Sequence, residues 1–147
     1  MRIVGGNLKG RKIFQPRDVK TRPLKDLVKE SIFNLLNHSN KFNLDLNKSS
    51  ILDCFSGTGS FGLECLSRGA NDVTFVENYK PSYDILKKNI HNLNLKENSR
   101  LYQKDFFKFL DENLNSDYYF DLIFLDPPYR MQKVSFIIQK IKKIKIL

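Results

Sequence analysis

The chain reads as an α/β domain, a parallel sheet with helices on both faces. Three observations predict this. From Ser50 onward, short apolar strands alternate with helical segments. A glycine-rich turn, Gly57-Thr-Gly-Ser-Phe-Gly62, joins the first of these strands to a helix. An acidic residue closes each of four predicted strands: Asp53, Glu77, Asp105 and Asp126. In parallel α/β sheets ligands bind at the carboxyl ends of the strands, so these four acids mark one rim as the working edge.

Each element follows from local pattern. Residues 1–14 predict a hairpin, because Arg2-Ile-Val and Arg11-Lys-Ile-Phe flank turns at Gly5-Gly6 and Gly10. A polar linker runs from 15 to 22. Pro23 suits the first turn of a helix, where its missing N–H is harmless. Leu24, Leu27, Val28, Ile32, Leu35 and Leu36 then recur at helical spacing. After a polar connection (37–50), strands are predicted at Ser50–Phe55, Asp72–Glu77, Arg100–Lys104 and Phe120–Leu125. Helices are predicted at Ser60–Arg68 (closed by Gly69), Pro81–Asn92, from Phe106 to Leu110, and over Val134–Ile144.

Composition narrows the function classes. A chain of 147 residues with 41% hydrophobic content supports a single core. No apolar run reaches membrane-spanning length and no secretory leader is evident, so a soluble cytoplasmic protein with no membrane role is expected. Cys54 and Cys65 read as buried thiols, and the isolated His38 and His91 argue against a metal site. The net charge of +9 favours a polyanionic partner, nucleic acid first. Arg2, Lys9, Arg11, Lys12, Arg17, Lys20, Arg22 and Lys25 crowd the first segment against Asp18 and Asp26. A second basic run, Lys140 to Lys145, is less diagnostic.

Two motifs carry chemistry. The glycine turn lets a ligand approach backbone closely, with Gly57 and Gly59 beside Phe55. Alone, G-x-G-x-x-G is a weak indicator shared with dinucleotide enzymes. Asp53 would repel a pyrophosphate, however, whereas S-adenosylmethionine offers an ammonium and a sulfonium to a carboxylate. Glu77, 24 positions after Asp53, could accept the ribose hydroxyls. Asp105 and Phe106 could grip the adenine, the acid on its amine and the ring on its face; a plain helix cap is the rival reading of Asp105. The second motif is Asp126-Pro127-Pro128-Tyr129. An exocyclic amine is a poor nucleophile because its lone pair is delocalised. The Asp126 carboxylate and the Pro127 carbonyl can both accept its N–H groups and so aim the lone pair at a methyl carbon. Pro127 and Pro128 stiffen the loop, and Tyr129 offers a flat face to an unstacked base. The pair of motifs reads as an S-adenosylmethionine-dependent methyltransferase acting on a base or amide nitrogen.

The chain resembles a known family, the RsmD-type bacterial methyltransferases that modify guanine N2 in 16S ribosomal RNA. The matching residues are Arg2-Ile-Val-Gly-Gly-Asn-Leu-Lys-Gly-Arg-Lys12, Thr21-Arg-Pro23, Val28-Lys-Glu30, Phe33-Asn34, Asp53 through Glu64, Ser67-Arg68, Glu77 and Asp126 through Tyr129. The resemblance implies a Rossmann-like class I methyltransferase fold, S-adenosylmethionine as donor, and N2-methylguanine as product. It implies that residues 1–22 form a basic hairpin and linker touching 16S RNA or the assembling small subunit through Arg2, Lys9, Arg11, Lys12 and Arg22. Residues 23–147 would then form the cofactor-binding domain, working as a monomer.

There are departures from the family pattern. Lys29 stands where the family usually has Arg, and Leu27 where a basic residue is common, so weaker cofactor or RNA contacts are expected there. The family continues past the Asp-Pro-Pro-Tyr helix with further strands. In this chain those C-terminal strands are expected to be missing, leaving the Asp126 strand as a sheet edge. Two rival functions remain: a DNA adenine-N6 or cytosine-N4 methyltransferase using the same Asp-Pro-Pro-Tyr chemistry, and an inactive RNA-binding remnant.

Overall fold

The computed structural model describes residues 1–17, 24–38, 44–113, 119–128, 134–144 and 146–147. Pro23, Arg22 and Tyr129 lie outside them. Helix α1 (Asp26–His38) precedes four strands: β1 (Ser50–Asp53), β2 (Asp72–Val76), β3 (Ser99–Tyr102) and β4 (Leu122–Phe124). Helices α2 (Ser60–Ser67), α3 (Lys80–Asn92) and α4 (Phe106–Glu112) follow β1, β2 and β3, and α5 (Val134–Ile144) follows β4. The strands pair in parallel in the order β3-β2-β1-β4. The predicted α/β class is therefore observed, and β4 lies at one edge of the sheet as expected.

Side-chain alternation in the strands sorts the core into two layers. Ile51, Val73 and Phe75 point to one face, where they meet Phe33 and Leu36 of α1, Phe61 and Leu63 of α2, and Leu86 and Ile90 of α3. Leu52 and Val76 point to the other, with Phe106, Phe109 and Leu110 of α4, and Ile137 and Ile141 of α5. Gly62 lets α2 press on β2, since an added Cβ there would lie 2.3 Å from the Phe75 ring. Gly69 ends the α2 turn at φ +101°, the left-handed conformation expected of a glycine stop.

The N-terminal segment forms the expected hairpin shape, held by one antiparallel bridge between Arg2 and Lys12. It is docked through a buried ionic cluster. Glu64 of α2 accepts the backbone N–H groups of Val4 (2.9 Å) and Gly5 (2.6 Å). Lys29 of α1 donates to the Arg2 carbonyl at 2.7 Å and lies 3.7 Å from Glu64. Gly6, at φ +72°, sits so close to α2 that a Cβ would lie 1.9 Å from the Ser67 carbonyl oxygen. This overturns the expectation that Lys29 bears on cofactor or RNA contacts. Its side chain is fully buried and tethers the hairpin, while Leu27 is 74% exposed.

Candidate active site

The carboxyl ends of β1 and β4 open onto a cleft. Asp53 and Asp126 both line it, joined by Phe55, Ser56, Gly57, Thr58 and Ser60 from the glycine turn. Two elements 73 positions apart in sequence thus share one cavity because β1 and β4 are neighbours in the sheet.

Asp53 is 1% exposed. One of its oxygens accepts the Gly62 N–H at 3.1 Å, which fixes the carboxylate against the start of α2. Burial pushes its carboxyl up to about 7; the Gly62 N–H opposes this, and the charges of Glu77 and Asp126 add to it. The turn between Asp53 and α2 is held from below. Ser56 donates through its hydroxyl to the carbonyls of Asp53 (2.7 Å) and Val76 (3.2 Å). Gly57 and Gly59 adopt φ +55° and +87°, left-handed conformations that side chains rarely take.

Glu77 is anchored at both oxygens. Gly57 donates its N–H to one at 2.7 Å and Tyr79 donates to the other at 2.6 Å. The residue is half-buried at the end of β2, so the carboxylate is oriented beside the glycine turn and keeps lone pairs for further donors. Asp105 caps α4, accepting from Phe107 at 3.0 Å and Lys108 at 3.3 Å through a single oxygen. The rival capping role is therefore present, and the second oxygen makes neither bond. Phe106 is 2% exposed, its ring packed 5.1 Å from that of the half-buried Phe55. A ring this deep does not present a face to a ligand in this conformation, which revises the expectation that it lies on an adenine. Phe55 lines the cleft and Phe106 does not.

Asp126 is exposed at the mouth, with Pro127 half-buried and Pro128 exposed behind it. Its partly buried surroundings nonetheless raise its carboxyl above the ordinary carboxylate range. The cleft wall beside it is aromatic, because Phe61 of α2 and Phe124 of β4 stack at 3.8 Å with an interplanar angle of 12°. Phe61, Phe124, Thr58, Ser60 and Leu24 also line the cleft and carry no role in the sequence reading. Thr58, Ser60 and Phe61 lie within the glycine motif and Phe124 two residues before Asp126, so their positions could have pointed to them, whereas Leu24 reads only as part of an apolar helix face. Of the basic residues named from sequence, Arg2, Lys9, Arg11 and Lys12 are exposed on the hairpin. Arg2 also pairs with Asp26 at 3.2 Å. Among the described residues no helix is long and apolar enough to cross a membrane.

A family profile described as conserved hypothetical protein 95 matches residues 1–147, the whole chain. The chain belongs to this family, the RsmD type. It is 37% identical over 133 residues to ribosomal RNA small subunit methyltransferase D of Buchnera aphidicola subsp. Acyrthosiphon pisum, covering 90% of this chain and 65% of that protein. The Escherichia coli protein yhhF superposes with a TM-score of 0.84 at 31% identity, covering 100% of this chain and 75% of its own. A SAM-dependent methyltransferase from Agrobacterium tumefaciens matches with a TM-score of 0.58 at 25% identity, covering 76% of this chain and 34% of its own. These neighbours share the Rossmann-like class I methyltransferase fold predicted from sequence. The chain spans slightly less than two thirds of the Buchnera protein's length.

Proposed function

We propose that this chain transfers a methyl group from S-adenosylmethionine to the exocyclic N2 amine of a guanine in 16S ribosomal RNA. The observation that carries this reading is the shared cleft. Asp53, buried with its carboxyl pushed up to about 7, and Asp126, the first residue of the Asp-Pro-Pro segment, both line it. The kinship to small-subunit ribosomal RNA methyltransferases supports the substrate class, and the SAM-dependent neighbour supports the donor.

The residues fit the donor on physical grounds. It brings positive charge and no phosphate. The cleft offers two carboxylates and glycine backbone in left-handed conformations, a combination suited to a cation held close to main chain. Asp53 and the turn at Gly57 and Gly59 would hold the methionine end, Glu77 the ribose, and Asp105 the base, with Phe55 along the cleft wall. Bound S-adenosylmethionine supplies an electrophilic methyl carbon.

The chain's own work is positioning and charge stabilisation. The Asp126 carboxylate and Pro127 carbonyl accept the two N–H bonds of the guanine amine. This fixes its lone pair and favours positive charge building on nitrogen. Asp126 must be ionised to do so, and its raised carboxyl pKa makes that dependent on pH. The stacked Phe61 and Phe124 hold the apolar wall of the cleft, with Tyr129 as the ring for an unstacked base. Exposed Lys9, Arg11 and Lys12 on the hairpin meet RNA phosphates, with Arg2 and Arg22 as further contacts.

The test is product identity. RNA from small subunits incubated with the chain and S-adenosylmethionine is digested to nucleosides and resolved by mass spectrometry. N2-methylguanosine is expected. A methylated adenosine or cytidine instead would overturn the guanine assignment.

A further inference from the structure

Asn89, on α3, is 1% exposed and makes three hydrogen bonds across two other parts of the chain. Its amide nitrogen donates to the Thr58 carbonyl at 3.0 Å and to the Phe14 carbonyl at 3.2 Å. Its amide oxygen accepts the Phe14 N–H at 2.7 Å. Thr58 is the central residue of the glycine turn and lines the cleft. Phe14 belongs to the returning limb of the basic hairpin. The next residue, Gln15, extends the same connection, donating to the Thr58 hydroxyl at 2.9 Å. Met1 closes it on the other limb, its sulfur accepting the Ser60 hydroxyl at 3.0 Å. Cleft-lining Thr58 and Ser60 are thus both bonded to the hairpin from behind.

From this geometry we infer that Asn89 and Gln15 are positioning residues for the cofactor loop, and that the basic hairpin acts as a splint for it. The physical case rests on conformational entropy. Thr58 lies between two glycines held at positive φ, a stretch with wide freedom that must be frozen to hold a ligand. The other bonds fix the turn on either side of Thr58: Ser56 is held to the Asp53 and Val76 carbonyls, Gly57 donates to Glu77, and Gly59 donates to the Ser56 carbonyl at 2.7 Å. The Thr58 peptide and hydroxyl are held by Asn89 and Gln15. Asn suits this role because one side chain supplies both a donor and an acceptor, matching a backbone carbonyl and N–H at Phe14 while reaching Thr58. A Leu or Ala at 89 would pack, but would strand those groups. The arrangement also places the proposed RNA-binding element and the proposed cofactor loop in one hydrogen-bonded unit.

This inference rests on the proposed cofactor reading for its functional meaning, but the splint itself can be tested without cofactor. Asn89→Ala and Gln15→Ala are compared with the native chain and with Ile141→Val, a core change in α5 remote from the loop. Amide hydrogen exchange is read for residues 56–62 in the free protein, and binding of S-adenosylhomocysteine by calorimetry. Asn89→Ala should speed exchange in 56–62 while leaving β2 and β3 unchanged, and weaken binding about tenfold, the equivalent of one or two hydrogen bonds. Gln15→Ala, at a half-buried site, should weaken it about threefold. Ile141→Val should lower the melting temperature and leave both readouts at native values. Native exchange in 56–62 for both variants would overturn the inference. Faster exchange in a chain whose native form binds no S-adenosylhomocysteine would leave the splint standing and sink the cofactor reading instead.

Discussion

The ammonium of Lys29 lies 3.7 Å from the carboxylate of Glu64, and neither side chain reaches solvent. The pair is completed by Arg68, whose Nε is 3.0 Å from Glu64, and by Asp26, 3.5 Å from Lys29. Around it, the backbone of Arg2, Val4 and Gly5 supplies the remaining partners. A buried ion pair of this kind holds two helices and the hairpin in one arrangement. Its net contribution is small, but losing one partner strands the other.

Lys29→Ala should therefore lower the unfolding free energy by about 3–5 kcal/mol. Urea denaturation followed by circular dichroism measures this directly. A loss below about 1 kcal/mol would show that Glu64 is satisfied by Arg68 and backbone alone.

Asp53 gives stability a pH dependence of defined sign. Its folded-state carboxyl lies near 7, above the unfolded value of 3.8. Between these values the folded chain binds the extra proton, so stability falls as pH rises from about 4 to 7 and then levels. Asp53→Asn keeps an acceptor for the Gly62 N–H and has no charge to bury. It should melt higher than the native chain at pH 8, with the gap closing toward pH 5. Equal melting temperatures at pH 8 would contradict the assigned burial cost.

The same proton governs ligand affinity. A cation bound beside Asp53 favours the ionised form, so S-adenosylmethionine should bind more tightly as pH rises toward 7, by at most about tenfold per pH unit. The affinity of Asp53→Asn should be weaker and flat over this range. Calorimetry in two buffers of different ionisation enthalpy checks the proton release.

Gly62 tests helix-to-sheet contact beneath the cleft. In Gly62→Ala the new Cβ would lie 2.3 Å and 2.7 Å from Phe75 ring atoms and 2.9 Å from Val73. Both neighbours are buried in the core, so the overpacking should cost about 1–3 kcal/mol. The denaturation midpoint reports it.

RNA affinity should fall with salt because Lys9, Arg11 and Lys12 are exposed on one hairpin. Changing all three to Ala should reduce the slope of log affinity against log salt by roughly 0.7 for each single-strand phosphate that these side chains neutralise. An unchanged slope would place the RNA surface elsewhere, with the Lys140–Lys143 run of α5 as the next surface to test.

Much of the architecture was legible because it is local. Among the described residues, sequence pattern located the four parallel strands and the five α-helices to within a few residues, as with α5 at Val134–Ile144, and glycine chemistry placed the stop at Gly69; the short 3-10 turns at Leu46–Lys48 and Lys96–Asn98 were not anticipated. The cleft was legible because the acids at strand ends converge once a parallel sheet is assumed. What escaped was set by contacts between distant segments. Lys29 reads as a surface cation on a helix until the hairpin folds over it. Asn89 is indistinguishable in sequence from its solvated neighbours on α3. Phe106 follows a strand-end acid, as an adenine-stacking ring would, but α4 turns its ring into the core beside Phe55. Burial of this kind depends on which helix face meets the sheet, and a seven-residue helix such as α4 offers little periodicity to reveal it.

In the proposed reaction one cleft serves both donor and target amine, and Asp126 acts on the amine alone. Its most direct test is transfer of labelled methyl from S-adenosylmethionine to small ribosomal subunits from cells lacking guanine-N2 methylation, with Asp126→Ala alongside. The native chain should label a guanine. The variant should still bind S-adenosylhomocysteine, yet label at least about a hundredfold more slowly. Native-like labelling by the variant, or no labelling by a native chain shown to be folded and able to bind the cofactor, would contradict this role of Asp126 and the shared cleft.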